Sequence, residues 1–132
     1  MKLKSLNLLT AEQLFKAFSE EARIRIIHLI RNNEEMCISD LEMILDYSQT
    51  KTSRHLTYLK NTGILKFIKR DQWVYYTIKE DYVFLVDQIL SWVQKDLELV
   101  KDQESFKTMY ANNALALRKL HNKQRRYNLP EL

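Results

Sequence analysis

Apolar residues recur at helical spacing over the first thirty residues of the chain. Thr10 is an N-cap candidate for a helix that runs to Phe18. Ser19 is the candidate cap of a second helix, over residues 20–31, in which apolar side chains lie around much of the circumference. A helix without a wide polar face is normally buried. We therefore expect the second helix to be the central helix of the core.

A short strand and a short helix are predicted next. The run Met36-Cys37-Ile38 is too short for a helix of its own and directly precedes Ser39-Asp40-Leu41-Glu42. The latter run has the form of a capping box, with Ser39 as the N-cap and Glu42 at the third helical position. We expect a strand around Cys37 and then a helix that ends at Leu45.

Residues 49–61 are predicted to form the second helix of a helix-turn-helix pair. Ser48 is its N-cap candidate, and Gly63, the single glycine of the chain, can take the left-handed conformation after the last turn. A turn of about three residues, 46–48, separates this helix from the one that ends at Leu45. The spacing is typical of a helix-turn-helix unit.

The residues after Gly63 predict a β-hairpin. Segments 64–69 and 73–78 are rich in β-branched and aromatic residues, and residues 70–72 separate them. The turn contains neither glycine nor Asn-Gly, so strand composition carries the prediction. Lys66, Lys69 and Arg70 would lie at the charged end of this hairpin.

The chain continues without a helix breaker from Glu80 to Pro130, and we expect one long helix or two, with a break near residues 102–105. An apolar stripe at helical spacing runs through the segment. Such a stripe exceeds what one small core can cover, so we infer that it packs against a second copy of the chain. The alternative is that the segment folds back on its own domain. The residues expected at the dimer interface are Leu85, Ile89, Val93, Leu97 and Val100.

The net charge of +4 is distributed in blocks along the 132 residues. Residues 1–46 have a net charge of −2, residues 47–79 of +6, residues 80–117 of −4 and residues 118–132 of +4. A charge of +6 within a short segment is typical of a surface that neutralises phosphates. A solvated Lys/Arg face is the alternative interpretation.

The helix predicted at residues 49–61 has two distinct faces. At ~100° per residue, one face carries Thr52, His55, Leu56 and Leu59, and the other carries Gln49, Thr50, Ser53, Arg54 and Thr57. The second face has an amide, hydroxyls and a guanidinium but no carboxylate, and such groups can contact base edges and phosphates. Lys51, Tyr58 and Lys60 flank it. We interpret it as a recognition helix, against the alternative of an ordinary solvated helix.

Three runs of sequence resemble the ArsR/SmtB family of winged helix-turn-helix repressors. They are Leu14 to Ile26, Ser48-Gln49-Thr50-Lys51-Thr52-Ser53-Arg54-His55-Leu56 with the residues up to Leu65, and Trp73-Val74-Tyr75-Tyr76. The resemblance implies a mainly α fold with a small β-hairpin and long C-terminal dimerisation helices. The resemblance covers residues from about 10 to 95, and residues from about 100 onward exceed the compact family pattern. We expect a DNA-binding domain at 1–79 (wing about 64–78), a helical dimerisation segment at 80–120 and a basic, flexible tail at 121–132. The resemblance also implies a homodimer that binds an inverted repeat in double-stranded DNA and represses transcription until a signal releases it.

The chain departs from the metal-sensing members of that family. Members that sense arsenite or soft metals carry Glu-x-Cys-x-Cys-Asp-Leu, whereas this chain has Glu35-Met36-Cys37-Ile38-Ser39-Asp40-Leu41. Soft metals favour two or three thiolates, and Ser39 replaces the second one. The histidines of the zinc-sensing members are absent beside Asp81 and Asp87. We therefore expect no metal or other cofactor, and an unidentified inducer. Cys37 is a candidate one-thiol redox switch or, as we favour, an inert buried cysteine.

Composition excludes several other classes of protein. One cysteine cannot form an intramolecular disulfide, which favours a reducing, cytoplasmic setting, and one glycine cannot build a phosphate-binding glycine-rich loop. No apolar run approaches the ~20 residues that span a bilayer, so we expect no membrane association. Ser53 and His55 lie on different faces of their helix, so no catalytic pair is predicted and we expect no enzyme. The remaining alternative is a winged-helix interaction module that does not bind specific DNA.

The basic segment from Arg118 to Arg126 allows several interpretations. It could be an arm that touches DNA, a helix that binds a membrane surface or a partner, or a solvated end. From sequence, a solvated end or an extension of the dimer interface is favoured.

Overall fold

The computed structural model describes residues 5–128, which form seven α-helices, a short 3-10 turn and three strands. A helix-turn-helix and a hairpin are followed by three C-terminal helices. The elements are α1 (Leu8–Ala17), α2 (Glu21–Asn33), β1 (Met36–Cys37), α3 (Ile38–Leu45), α4 (Gln49–Thr62), β2 (Leu65–Arg70), β3 (Trp73–Ile78), the 3-10 turn (Glu80–Tyr82), α5 (Val83–Val93), α6 (Leu97–Ala111) and α7 (Ala116–Asn128). Within the described range, no helix is long and apolar enough to cross a membrane.

The first two helices begin at different caps from those predicted. Asn7 is the N-cap of α1, because its Oδ1 accepts a hydrogen bond from the Thr10 amide at 2.8 Å. The Ser19 hydroxyl donates to the Lys16 carbonyl at 2.7 Å, so it satisfies the end of α1. Glu20 is the residue at the N-cap position of α2, without a side-chain hydrogen bond. The predicted caps Thr10 and Ser19 were therefore wrong.

Helix α2 is the centre of the core, as its composition predicted. Ile26, Ile27, Leu29 and Ile30 have no exposed surface. They pack among buried residues of α1, α3, α4 and the sheet. The burial of a large isoleucine or leucine side chain contributes about 1.5–3 kcal/mol, so this helix fixes the arrangement of the elements around it.

The three strands form one antiparallel sheet in the order β1-β3-β2. The hairpin pairs Arg70 with Trp73, so its turn has two residues rather than the three predicted. Asp71 occupies the left-handed region at φ 58°, which aspartate tolerates better than most residues do. Strand β1 adds Met36 and Cys37 to the other edge of β3, a pairing that the sequence did not indicate.

The predicted capping box at Ser39 does not form. Helix α3 begins two residues earlier, at Ile38, with Cys37 at the N-cap position, and the Ser39 hydroxyl lies 3.3 Å from the Cys37 Sγ. The buried Asp40 carboxylate instead accepts hydrogen bonds from the backbone amides of Ala116 and Leu117, at 2.8 and 3.0 Å. Asp40 thus caps the N-terminus of α7, which lies more than seventy residues later in the chain.

The C-terminal segment forms three helices, not one or two. The breaks lie at residues 94–96 and 112–115, whereas residues 102–105 are inside α6, so the predicted break was wrong. Helix α6 packs on α2 and α3, and α7 packs on α3, α6 and β1. Leu99, Phe106, Leu115 and Leu117 are buried within the same chain. Much of the segment therefore folds back onto its own domain.

The predicted tail is also partly helical. Residues 121–128 continue α7, although a tail was predicted from residue 121 onwards. Residues 129–132 of that tail, and residues 1–4 of the predicted DNA-binding domain, lie outside the described residues.

Candidate nucleic-acid interface

Helix α4 begins and ends as its sequence predicted. The Ser48 hydroxyl accepts a hydrogen bond from the Lys51 amide at 3.1 Å, and Gly63 takes the left-handed conformation at φ 87°. The helix is one residue longer than expected and ends at Thr62. These two residues fix the ends of the helix, because each allows a backbone group that the helix leaves unpaired to form a hydrogen bond.

The two faces of α4 lie as the helical spacing predicted. Its inner face is buried in the core and consists of Thr52, His55, Leu56 and Leu59. All the residues assigned to the outer face, and the flanking Tyr58, are exposed: Gln49, Thr50, Ser53, Arg54, Thr57 and Tyr58. The outer face thus offers donors and acceptors to solvent without a carboxylate, which is the chemistry of base-edge and phosphate contacts.

A buried arginine holds α4 against the first two helices. The Arg23 side chain donates to the carbonyls of Ala17 and Lys16, at 3.0 and 2.8 Å, and so caps the C-terminal end of α1. Its guanidinium carbon lies 4.1 Å from the centre of the Tyr58 ring on α4. Cation–π contacts of this kind are stronger when the cation is desolvated. Sequence spacing did not identify Arg23 as a positioning residue for the recognition helix.

A second polar cluster links the turn of the helix-turn-helix to α6. The Arg25 guanidinium forms two hydrogen bonds of 2.9 Å with the buried Asp102 carboxylate and donates to the Tyr47 hydroxyl at 3.0 Å. The hydrogen bond to Asp102 raises the pKa of Arg25. Glu98 accepts from the same guanidinium at 2.9 Å. Lys51, which was predicted to flank the outer face of α4, is half-buried and places its ammonium 3.9 Å from the centre of the Tyr47 ring.

The predicted wing cations differ in their surroundings. Lys66 and Lys69 are exposed on β2. Arg70 is half-buried and forms a bidentate pair with Glu35, with nitrogen–oxygen distances of 3.0 and 3.1 Å. Because Glu35 precedes β1, this pair fastens the end of the wing to the edge of the sheet.

His55 is a packing residue of α4. It is 3% exposed, and its Nδ1 lies 3.7 Å from the Glu20 carboxylate. Burial lowers the pKa of His55; Glu20 opposes this shift, and the neighbouring cations Arg54, Arg23 and Lys51 add to it. The imidazole is therefore neutral at physiological pH.

Cys37 does not lie in surroundings that suit a thiolate. Its side chain is 1% exposed, and burial, with a smaller contribution from Asp40, raises its pKa to about 11. The Ser39 hydroxyl is its neighbour, and the Asp40 carboxylate is engaged with α7. These groups do not fit a soft-metal site, which needs ionised sulfur. Across residues 5–128, no cluster of three or more His, Cys, Asp and Glu residues could hold a metal ion.

The residues predicted for dimerisation fall into two groups. Leu85 and Ile89 on α5 are half-buried, and Leu85 packs against the core. Val93, Leu97 and Val100 are exposed by 37%, 84% and 43%. Several other apolar side chains are exposed although the sequence did not indicate them, and the largest exposures among these belong to Leu8, Leu9, Phe15 and Trp92.

Comparison with known proteins gives consistent matches to regulators. Residues 20–66 match the model of the family described as "bacterial regulatory protein, arsR family". The arsenic resistance transcriptional regulator ArsR2 of Pseudomonas putida is 34% identical over 113 residues, which are 86% of this chain and 90% of that protein. The arsenical resistance operon repressor of Escherichia coli is 42% identical over 66 residues, 50% of this chain and 56% of the repressor.

Solved structures share the fold. HlyU from Vibrio cholerae superposes with a TM-score of 0.59 and 27% identity, over 67% of this chain and 96% of that chain. The homodimeric winged helix-turn-helix DNA-binding domain of Mb0332 from Mycobacterium bovis gives 0.60 and 23% identity, over 69% and 84% of the two chains. The architecture around α3, α4 and the hairpin is that of a winged helix-turn-helix.

Proposed function

Because this chain belongs to the ArsR family of bacterial regulatory proteins, we propose that it is a sequence-specific DNA-binding repressor that acts as a homodimer. The observation that carries the proposal is the exposed, carboxylate-free outer face of α4. The relatives are named as transcriptional regulators and repressors. These names do not favour the alternative, an interaction module that does not bind DNA.

Base reading is assigned to the outer face of α4. Arg54 can donate two hydrogen bonds to guanine O6 and N7, and Gln49 can donate to adenine N7 while it accepts from adenine N6. Thr50 and Ser53 offer hydroxyls beside them. Phosphate contacts are assigned to Thr57 on the outer face of α4, to Lys51 and Tyr58 on its flanks, and to Lys66, Lys69 and Arg70 on the wing. In a homodimer the two copies of α4 would enter successive major grooves of an inverted repeat, about 34–36 Å apart.

The dimer interface is assigned to exposed apolar side chains of α5 and of the start of α6. Trp92 and Leu97 are exposed by 80% and 84%. They flank the break between the two helices, and Val93 and Val100 lie beside them on the same helices. Covering such side chains with a second copy removes apolar area from water at about 25 cal/mol per Å². This favours a symmetric pair of chains.

The release signal is assigned to a chemistry other than a metal bound by thiolates at the start of α3. Relatives of this chain are named for arsenic and cadmium resistance. In this chain that region offers one buried thiol, Cys37, and a hydroxyl, Ser39. Asp40 is already bonded to two backbone amides.

A fluorescence-anisotropy titration tests the proposal. The protein is titrated into DNA from upstream of its own gene and into a shuffled duplex, at two salt concentrations. We expect tighter binding to the upstream DNA and a steep fall of affinity with salt. Equal affinity for the two duplexes at both salt concentrations would refute sequence-specific recognition of that region.

An arginine variant tests the role of α4 directly. Arg54→Ala should reduce the discrimination between the two duplexes by about 1–3 kcal/mol, or roughly fivefold to 150-fold. Arg31→Ala is the matched control, since Arg31 lies on α2 rather than on α4 or the wing and pairs with Asp87 on α5. It removes the same charge and should leave the discrimination unchanged. If both variants change discrimination equally, Arg54 does not read bases.

A further inference from the structure

Helix α7 carries the second strongly basic surface of the chain. Residues 116–128 include five arginines and lysines and no carboxylate. Lys119, Lys123 and Arg126 are exposed, and with Asn122 they line one open depression along the helix. Their spacing of three and four residues places them on a single face.

This helix is held in place at its first turn and along its middle. The Asp40 carboxylate caps its first turn. Near its middle, His121 Nδ1 lies 2.7 Å from the Tyr110 hydroxyl of α6. Beyond that point, the Lys123 ammonium lies 2.8 Å from the Asp71 carboxylate in the turn of the hairpin. The basic face is therefore displayed in a defined orientation, whereas the sequence favoured a solvated end or an extension of the dimer interface.

The position of α7 extends the basic surface of the wing. Asp71 is the single acidic residue within residues 47–79, and its partner Lys123 neutralises it. Exposed cations thus continue from Lys69 on β2, across the turn of the hairpin, to Lys119 and Arg126 on α7. Among the described residues of the hairpin turn and α7, the one carboxylate, that of Asp71, is paired with Lys123, which suits a continuous phosphate backbone.

The apolar side of α7 argues against a membrane surface as the partner. Leu117 is 1% exposed, and Ala116 and Leu120 pack against the core of the same chain. An amphipathic helix that binds a bilayer inserts its apolar face, and in α7 that face is already occupied.

We propose that α7 is a second DNA-contacting element, which binds backbone phosphates just outside the half-site that α4 reads. Lys119 and Arg126 are the main contacts, and the Asn122 amide can donate between them. The inference rests on the proposed DNA binding. It adds that the protein covers a longer stretch of DNA than α4 and the wing do, through contacts that do not depend on base sequence. Each half of a dimer would extend the contact outward beyond its own wing.

Hydroxyl-radical footprinting on the upstream DNA tests this inference. The test variant is Lys119→Gln with Arg126→Gln, and the matched control is Lys101→Gln with Lys107→Gln on α6, where both lysines are exposed. We expect wild type and control to protect a central region and flanking phosphates. The test variant should lose the flanking protection and keep the central one.

Salt dependence gives a second readout. Four lost phosphate contacts per dimer should reduce the slope of log affinity against log salt by about 3–4, with affinity at least tenfold lower near physiological salt. Central protection with identical flanks and slopes in test and control variants would overturn the role of α7 alone. Absence of central protection by wild type would overturn the DNA-binding proposal together with this one. Wild-type binding to phosphatidylserine vesicles, with an unchanged footprint in the test variant, would assign α7 to a membrane surface instead.

Discussion

Removal of the Asp40 carboxylate should detach α7 from the rest of the domain. Asp40 is 1% exposed and accepts hydrogen bonds from two backbone amides at the start of α7. Hydrogen bonds to a charged group contribute about 1.5–3 kcal/mol each, so two of them would give about 3–6 kcal/mol. If α7 undocks, water can hydrate the two amides. The free energy of unfolding that the substitution removes therefore cannot exceed the free energy by which α7 docks. We therefore expect Asp40→Ala to lower the free energy of unfolding by about 2–4 kcal/mol.

The single cysteine reports whether the loss arises from undocking. Cys37 lies in β1, on which α7 packs, and it is 1% exposed with a pKa raised by burial to about 11. A thiol reagent therefore labels it only when the structure opens. An undocking equilibrium shifted by 2 kcal/mol should raise the labelling rate about 30-fold.

Two control variants separate the possible causes. Asp40→Asn removes the same charge beside the Cys37 thiol but keeps one acceptor oxygen, so it should accelerate labelling much less. Asp96→Ala removes the exposed N-cap of α6, which accepts from the Glu98 amide at 2.9 Å. It should cost about 0.5–2 kcal/mol without any change in labelling. If Asp40→Ala matches Asp96→Ala in urea unfolding and leaves the labelling rate unchanged, the cap does not hold α7.

Other contacts give further expectations. Asp102→Asn should lower stability by about 2–4 kcal/mol in urea unfolding, because the guanidinium of Arg25 loses its buried charged partner; a loss below about 0.5 kcal/mol would contradict this. Trp92→Lys with Leu97→Lys should convert a dimer to folded monomers in sedimentation experiments, and an unchanged dimer would place the interface elsewhere. Burial lowers the pKa of His55, so the unfolded chain takes up a proton near pH 6.5 that the folded one does not. Stability should therefore fall as the pH drops below about 6.5, by at most about 1.4 kcal/mol per pH unit for this group. In His55→Gln the fall should be shallower, and an identical pH dependence would exclude His55 as its source.

The parts of the fold that sequence predicted correctly depend on local signals. Ser48 and Gly63 form hydrogen bonds with backbone groups in the first and last turns of α4. Residue type and spacing are therefore enough to locate both ends of the helix. The two faces of α4 follow from helical geometry in the same way. The exposed outer face could thus be assigned before any tertiary contact was known.

The parts that sequence missed depend on contacts between distant residues. Asp40 lies within a run that has the form of a capping box, between Ser39 and Glu42, yet its carboxylate accepts hydrogen bonds from α7, which packs against α3. The break after α6 is equally hidden, because it contains no glycine or proline. Asn113 takes the left-handed conformation at φ 60° there, and Leu115 is buried beyond it. An apolar stripe at helical spacing cannot show whether its partner is the same chain or a second copy.

Lys69 and Arg70 provide the sharpest test of how this wing uses its cations. They are neighbours on β2 and carry the same charge, but Lys69 is exposed whereas Arg70 is fixed by Glu35 in a bidentate pair. A cation that already neutralises a carboxylate releases fewer counterions when it meets a phosphate. Lys69→Gln should therefore reduce the salt slope of DNA binding by about 2 per dimer, and Arg70→Gln should reduce it by less while lowering stability through the unpaired Glu35. Equal changes in slope would show that Arg70 leaves Glu35 to bind phosphate, and that the wing rearranges on DNA.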